Sequence, residues 1–418
     1  MSTADTVAGL AGFSGRGAGS DAERRAARWL TSELEAGGRD ARLETFWCRP
    51  NWAFAQLWHV ALGLAGSLVC VSSPRVGGAL VLVALLSAIA DAVTGRSPGR
   101  LLTPERASQN VVSEAAGDDS RVRLLVTANY DAGRTGLVYR PRGRRAAVGL
   151  NELFGGAGPG WVGWLVLALV WLLAVAVARV GGARGAGIGI AQLPPTVALV
   201  LMFALLAELA TSDFGPAAND DGSGVAAAIA LVRALDAGPP TNTVVELVLT
   251  GAGDGGGIGL RRHLRARRRR LMRTNTVVLG VAASGAGRPR WWVSDGTLLP
   301  RRYFDRLREL CAQVAAEEAF IGAAPHRSRG SSPAWPARAA GLPAIAIGCL
   351  GDDGLAPRSH QQSDTAEQIE LESIDALVQF ALPLVDAIDA FLARLPPRPP
   401  PPSTRTRRPG LRRPRTAR

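Results

Sequence analysis

Four long apolar segments constrain this chain more than any other feature. They cover residues 52–71, 76–93, 161–180 and 188–209, and each is close to the ~20 residues that a helix needs to cross a bilayer core. A mean hydropathy of +0.11 is also high for a soluble protein. The sequence therefore predicts a multi-pass membrane protein with two closely spaced pairs of transmembrane helices.

Two apolar segments leave an alternative open. The fourth segment contains Gln192, Pro194, Pro195 and Glu208, so a kinked or re-entrant helix, or a buried soluble helix, competes with a full span. The late segment "SIDALVQFALPLVDAIDAFLARL" carries three aspartates. Charge at those positions favours a helix that packs on a protein core over a fifth span.

The placement of arginine predicts the orientation in the membrane. Both helix pairs are joined by short loops, so the rest of the chain lies on one face of the bilayer. That face carries a cluster between Arg140 and Arg145, and the positive-inside rule therefore favours the cytoplasmic side. We expect a protein of the plasma (inner) membrane whose folded domain and C-terminal tail are cytoplasmic.

The formal charge of +13 comes from arginine, because the sequence contains no lysine. The excess is concentrated in "LRRHLRARRRRLMR" and in the Pro/Arg-rich tail 396–418, and the tail composition is typical of disorder. Anionic membrane lipid is the expected partner of such basic segments. Nucleic acid is disfavoured, since few aromatic residues alternate with the arginines.

Outside the apolar pairs, the chain alternates between strand-like and helix-like patterns. Such alternation predicts an α/β fold with a mainly parallel twisted sheet and helices on both of its faces. The two membrane pairs then interrupt a single folded domain. The expected boundaries are 1–51 for the first helix and strand, 52–95 for membrane pair one, 96–160 for the domain continued, 161–210 for membrane pair two, 211–395 for the rest of the domain and 396–418 for the tail.

The loop "GAGDGG" at 251–256 matches a G-x-G-x-x-G pattern after an apolar strand. A dinucleotide site would need an acidic residue at the end of the next strand. That strand instead ends in Val281, Ala282 and Ala283, and the carboxylate of Asp254 would repel a pyrophosphate. Dinucleotide binding is therefore disfavoured.

Polar loops follow several of the expected strands. They are "TANYDAG", "AANDDGSG", "TGAGDGGG" and "SHQQSDT". Parallel strands bring such loops together at their carboxyl edge, where ligands bind. Carboxylates and a histidine gathered there suit a divalent metal such as zinc.

The order of these loops resembles metallopeptidase family twenty-eight, the di-zinc aminopeptidases and glutamate carboxypeptidases. The most specific match is "NDDGSGVA", and the resemblance covers about residues 19–395. It implies a zinc aminopeptidase-like fold, here with two inserted transmembrane helix pairs. It also implies a zinc-dependent exopeptidase activity if the site is complete.

Transferred onto this sequence, the family pattern is only partly present. Asn129 stands where the first histidine ligand is expected, although its usual orienting partner, Asp131, remains. Asp220 matches the aspartate that bridges the two metals. Gly253 occupies the position of the general base, and Asp254 replaces the neighbouring glutamate ligand by a shorter carboxylate.

The remaining two positions complete the comparison. Val281, or another residue at that strand end, stands where an aspartate ligand is expected, and His360 matches the last histidine. The resemblance thus implies that one zinc site has lost two ligands. Asp220, Asp254 and His360 remain for the other, and three ligands with an open position are the general form of a catalytic zinc site.

The sequence favours a membrane-anchored, catalytically impaired pseudopeptidase with a binding or regulatory role. An active hydrolase with one zinc ion is the main alternative, and a structural or nucleotide-binding membrane protein is another. Purely structural interpretations also stay open. The aspartates can be turn formers and helix caps, His360 can be an ordinary loop residue, and the protein can lack a bound metal. Because membrane pair two lies between Asp131 and Asp220, we expect the cleft near the bilayer, where it would bind a juxtamembrane peptide or another membrane protein.

Overall fold

A nine-stranded mixed sheet organises the folded domain in the computed structural model, which describes residues 2–114, 122–155, 158–320 and 322–393. The order across the sheet is β1-β2-β4-β3-β5-β9-β6-β7, with β8 beside β6. The strands are β1 Arg42–Cys48, β2 Arg106–Ser113, β3 Val122–Asn129, β4 Thr243–Thr250, β5 Thr276–Val281, β6 Arg288–Asp295, β7 Arg301–Arg302, β8 Ala324–Arg327 and β9 Ala344–Leu350.

The sheet is less parallel than the sequence predicts. Its centre, β4-β3-β5-β9, is parallel, but β1–β2, β2–β4, β6–β9 and β6–β7 are antiparallel. A parallel pair needs a long crossover connection, and only six residues separate β5 from β6. The prediction of a mainly parallel sheet is therefore corrected to a mixed sheet with a parallel centre.

Thirteen helices accompany these strands in the described ranges. β9 is apolar and buried along its whole length, and β3 is buried from Arg123 to Asn129, which is typical of strands covered on both faces. The helices are α1 Thr3–Ala11, α2 Asp21–Ala36, α3 Trp52–Ser72, α4 Pro74–Thr94, α5 Pro98–Leu101, α6 Pro141–Leu153, α7 Trp161–Val180, α8 Ala186–Thr211, α9 Gly224–Ala237, α10 Ile258–Ala266, α11 Asp305–Ala315, α12 Trp335–Ala339 and α13 Leu371–Ala393.

The last helix, α13, packs on the sheet domain. Ile374, Leu377 and Phe380 belong to the same buried apolar cluster as the central strands. Asp389 accepts a hydrogen bond from the backbone N–H of Asn242 at 3.0 Å. By length and composition alone α13 is one of five helices, with α3, α4, α7 and α8, that are long and apolar enough to cross a membrane.

The four apolar segments fold as two helical hairpins, α3–α4 and α7–α8. They pack on one another around an apolar cluster that is separate from the core of the sheet domain. Apolar side chains also cover the outside of this bundle, which for a soluble surface would be an unusually large apolar area. Exposed examples are Leu68, Val71, Val76, Leu86, Leu167, Val177, Ile190, Leu193 and Leu201.

Helix α8 is continuous in spite of Pro194 and Pro195. Its polar residues find partners close to the ends of the bundle. Gln192 donates to the carbonyl of Ser67 at 2.7 Å, and Glu208 accepts from the backbone N–H of Leu137 at 3.1 Å. Hydrogen bonding thus satisfies the side chains that left the fourth segment ambiguous.

The arginine-rich stretch around α10 is partly paired with the sheet. Arg267 forms an ion pair with Glu44, and Arg270 with Glu114 at 3.1 Å. His263 is buried and its Nδ1 lies 3.0 Å from Glu44. Much of this stretch is therefore structural, whereas the basic tail predicted at 396–418 lies outside the described residues.

A buried ion pair joins α4 to the chain that follows it. Arg100 donates to Asp91 through Nε at 2.7 Å and through Nη2 at 2.9 Å. Gln56 of α3 also donates to Asp91, at 2.9 Å, and Ser97 donates at 3.0 Å. The carboxylate is thus surrounded by donors at the end of the helical bundle that faces the sheet domain.

We predict that Arg100→Ala strongly destabilises the protein. The substitution leaves the Asp91 carboxylate buried without its cation, which costs roughly 3–5 kcal/mol. Thermal unfolding of the full-length protein in detergent measures the effect. Arg96→Ala, at an exposed position four residues away, serves as the control. Equal unfolding midpoints for the two variants would contradict the structural role of the ion pair.

Candidate functional site

A cavity of about 540 Å³ opens where the sheet domain meets the helical bundle. Its walls combine residues from the strand-end loops with residues from the start of α3, the end of α4 and the start of α7. The loop residues include Asn129, Asp220, Asp221, Gly253, Asp254 and His360, and the bundle residues include Trp52, Gln56, Asp91 and Trp161. The polar loops thus converge as the sequence predicts.

Asp220 and His360 face each other in this cavity. His360 Nε2 lies 3.6 Å from Asp220 Oδ2, and the hydroxyl of Ser359 donates to the same carboxylate. His360 Nδ1 lies 2.9 Å from the carbonyl oxygen of Arg134, so this nitrogen donates and Nε2 points at Asp220. Burial opposes the charged imidazole, but the charges of Asp220 and Asp254 raise the pKa of His360 above its usual value.

Packing fixes the ring of His360. It stacks on Tyr139 with ring centroids 4.2 Å apart. A Cβ at Gly133 would lie 2.1 Å from the ring, so only glycine permits this approach. His360 therefore has a defined orientation and is not a freely moving loop residue.

The turn that carries Asp220 is held by a second aspartate. Asp364 accepts hydrogen bonds from the backbone N–H groups of Asn219 at 2.7 Å and Asp220 at 3.1 Å. Burial raises the pKa of Asp364 to about 7. Arg16, which is also buried, donates to the carbonyls of Tyr130 at 2.6 Å and Ala217 at 2.8 Å. No pattern in the sequence marks Arg16, because its partners are backbone atoms far away along the chain.

Asp131 binds the loop at 253–254. Its two carboxylate oxygens accept the backbone N–H groups of Gly253 at 2.6 Å and Asp254 at 3.1 Å. Burial, together with the charge of Asp254, raises the pKa of Asp131 to about 7. The described contacts of Asp131 therefore position the following loop, and its resemblance-based role as a partner of residue 129 stays a prediction.

Asn129 occupies the space beside Gly253. Its Oδ1 accepts a hydrogen bond from the hydroxyl of Thr250 at 2.8 Å. A Cβ built on Gly253 would lie 2.2 Å from Asn129 Cγ and 2.6 Å from Asn129 Cβ, far inside any allowed contact. Asn129 and Gly253 are thus in direct contact, and the Asn129 side chain leaves no room for a side chain at position 253.

Asp254 contacts the helical bundle directly. The indole N–H of Trp52, at the start of α3, donates to Asp254 Oδ2 at 3.2 Å. The Trp52 ring also packs against Trp161 of α7 with centroids 5.2 Å apart. A Cβ at Gly255 would lie 1.9 Å from Trp52, so this loop fits closely over the indole. The sequence indicated Asp254 but gave no signal for its partner Trp52.

The end of β5 contributes no charged side chain to the cavity. Val281 is buried in the apolar core, and the wall is formed instead by Ala282 and Ala283. The assignment of Val281, or another residue at this strand end, to the position of an aspartate ligand stays a prediction from the resemblance.

The three residues expected to hold zinc are only partly assembled. Asp220 and His360 face each other, whereas Asp254 is directed to Trp52. Within the described residues no group of three His, Cys, Asp or Glu side chains has a metal-holding arrangement. The donor chemistry suits zinc, and Asp254 would have to join Asp220 and His360 to complete a three-ligand site.

The mixed sheet and its strand-end cavity define an α/β fold of the zinc aminopeptidase type. Residues 194–385 match the model of peptidase family M28, which confirms the resemblance seen in the loop motifs. No curated protein matches the sequence.

Solved structures share this fold at low sequence identity. The zinc aminopeptidase BSAP from Bacillus subtilis has a TM-score of 0.53 at 12% identity, over 92% of this chain and 94% of that chain. A leucine aminopeptidase precursor from Bacteroides thetaiotaomicron gives 0.52 at 12%, over 92% and 96%. A glutaminyl cyclase from Tannerella forsythia gives 0.51 at 14%, over 92% and 97%.

We predict that Gly253 and Asn129 are coupled in stability. Gly253→Ala should cost about 1–3 kcal/mol by overpacking, since Gly253 lies outside the positive-φ residues and the contact with Asn129 is the obstacle. In an Asn129→Gly background the same substitution should cost clearly less. A double-mutant cycle of unfolding free energies measures this coupling. Gly149→Ala, where a Cβ meets open space, is the control, and additive effects at 253 and 129 would contradict the contact.

Proposed function

We propose that this protein is a membrane-anchored, peptidase-like binding protein whose catalytic site is impaired. The observation that carries the proposal is the contact between Asn129 and Gly253. In the family resemblance, position 253 supplies the general base. Here that position has no side chain, and the space into which one would grow is filled by Asn129.

The absence of a side chain at position 253 removes the general base that a hydrolase of this type would use. A positioned general base typically contributes 10²- to 10⁴-fold to a hydrolytic rate. Asp131 is a poor substitute, because both of its oxygens already accept backbone N–H groups. Around the first metal position, Asn129 is hydrogen-bonded to Thr250 and the β5 end is apolar. The cavity retains the shape and polarity for binding while its catalytic groups are depleted.

Membrane anchoring is the second part of the proposal. Its support is the apolar outer surface of the α3–α4 and α7–α8 hairpins together with their length and composition. The hairpins are insertions in one α/β domain, and the arginine distribution favours a cytoplasmic domain. Because Trp52 and Trp161 belong both to the bundle and to the cavity wall, the cavity stands at the membrane surface. A juxtamembrane peptide segment is the ligand that this position favours.

An active hydrolase with one zinc ion is a second candidate, favoured by the pairing of Asp220 with His360. His360 presents Nε2 while Nδ1 donates to the carbonyl of Arg134, an arrangement usual for metal-binding histidines. Zinc, when bound, would lower the pKa of a water molecule and polarise a carbonyl. Asp220, His360 and a reoriented Asp254 would hold the ion, and Ser359 would keep the Asp220 carboxylate in place.

Zinc content and peptide hydrolysis separate the two candidates. We expect the full-length protein in detergent, supplied with zinc, to hydrolyse aminoacyl and dipeptide substrates no faster than Asp220→Ala. Zinc bound without turnover supports the binding role. Asp352→Ala, which removes an exposed carboxylate, controls for nonspecific zinc binding. Zinc-dependent turnover that Asp220→Ala and His360→Ala abolish, and Asp352→Ala preserves, would establish the hydrolase instead.

A further inference from the structure

One arginine of the cavity wall has buried donors that find no partner among the described residues. Arg329 lines the cavity, and its Nε and Nη2 are buried and make no hydrogen bond. No carboxylate in the described residues forms an ion pair with it. Burial alone lowers the pKa of Arg329. Buried guanidinium donors normally have an acceptor, because leaving them unmatched costs free energy.

A second unmatched donor lies two residues away. The hydroxyl of Ser331 is buried without a hydrogen-bond partner and lines the same cavity. The imidazole of His326 is another titratable side chain of this region, and it cannot neutralise Arg329. Burial, with the charges of Arg290 and Arg329, lowers the pKa of His326 to about 4, so the ring is neutral at physiological pH. Arg329 and Ser331 therefore carry donors for which the described part of the chain supplies no acceptor.

Hydrogen bonds to Asp295 and Gly296 hold the loop that carries these donors. Asp295 is fully buried. It accepts the hydroxyl of Ser328 at 2.9 Å and the backbone N–H of Ser332 at 2.8 Å. The carbonyl of Gly330 accepts from the N–H of Gly296 at 3.1 Å. Anchors on both sides fix the positions of Arg329 and Ser331, which is the preorganisation that a binding subsite requires.

The other arginines of the cavity are already engaged. Arg100 is paired with Asp91, and Arg261 donates to the carbonyls of Gly256 and Val93. Among the arginines that line the cavity in the described part of the chain, Arg329 is thus the one whose Nε and Nη2 donors have no partner. The space is large enough for a short peptide, since ligand pockets commonly measure about 300–1,000 Å³.

We propose that Arg329 and Ser331 form a subsite for a carboxylate of the peptide ligand. Guanidinium and carboxylate groups match in a bidentate pair, and Ser331 adds a third donor. Asp220 and Asp254 line the same cavity, so its walls contain acceptors for the amino group of a peptide as well as donors for a carboxylate. This inference rests on the proposed function, because it assumes that the cavity holds a peptide.

Three dipeptides test the subsite by calorimetry with the full-length protein in detergent. Leu-Leu carries a terminal carboxylate, Leu-Glu amide carries a side-chain carboxylate, and Leu-Leu amide carries none. We expect at least one of the first two to bind about tenfold more tightly than Leu-Leu amide. The peptide that gains affinity identifies the source of the carboxylate.

Two arginine variants assign the preference to Arg329. Arg329→Gln should remove the preference and leave the affinity for Leu-Leu amide and the thermal unfolding midpoint unchanged. Arg327→Gln, at an exposed position on β8, should keep the preference. Equal binding of all three peptides, or equal losses in both variants, would overturn the subsite and leave the proposed function standing. Binding of none of the peptides would overturn both.

Discussion

The parallel pairing of β3 with β4 is the constraint on which the site depends. It places Asn129 opposite Thr250 at the ends of the two strands. Whatever follows β4 must then pass directly over the side chain of residue 129. With asparagine there, bonded to Thr250, the following loop approaches so closely that residue 253 has no room for a Cβ. Asn129 and Gly253 are far apart in the sequence, but in the fold the size of the one side chain determines which residue fits at the other position.

The geometry of the cavity is maintained by the protein's own hydrogen bonds. Three carboxylates accept hydrogen bonds from backbone N–H groups of the loops. Asp131 accepts from residues 253–254, Asp364 from residues 219–220 and Glu23 from Ala252. Burial, with the charge of Asp131, raises the pKa of Glu23 to about 8. Loops held in this way keep their shape independently of a bound ion.

Much of the site could be predicted from the sequence because its residues follow strands. Apolar runs located β3 and β4, and the rule that parallel strands share a carboxyl edge brought Asn129, Asp220 and Gly253 together. What the sequence did not reveal depends on contacts between distant segments. Trp52 pairs with Asp254 across the junction of bundle and sheet. Arg329 is notable only because its Nε and Nη2 have no partner among the described residues. The antiparallel β6 was also missed, because a short turn gives no periodic signal.

The central claim is that Asn129 fills the place of a catalytic side chain beside an incomplete metal site. An experimental structure of the full-length protein in a lipid nanodisc with excess zinc tests it most directly, because metal density and the Asn129 side chain are seen together. The account predicts at most one zinc ion, at Asp220 and His360, with Asn129 packed against Gly253 and bonded to Thr250. Two zinc ions in the cavity, or Asn129 turned towards a metal, would contradict it.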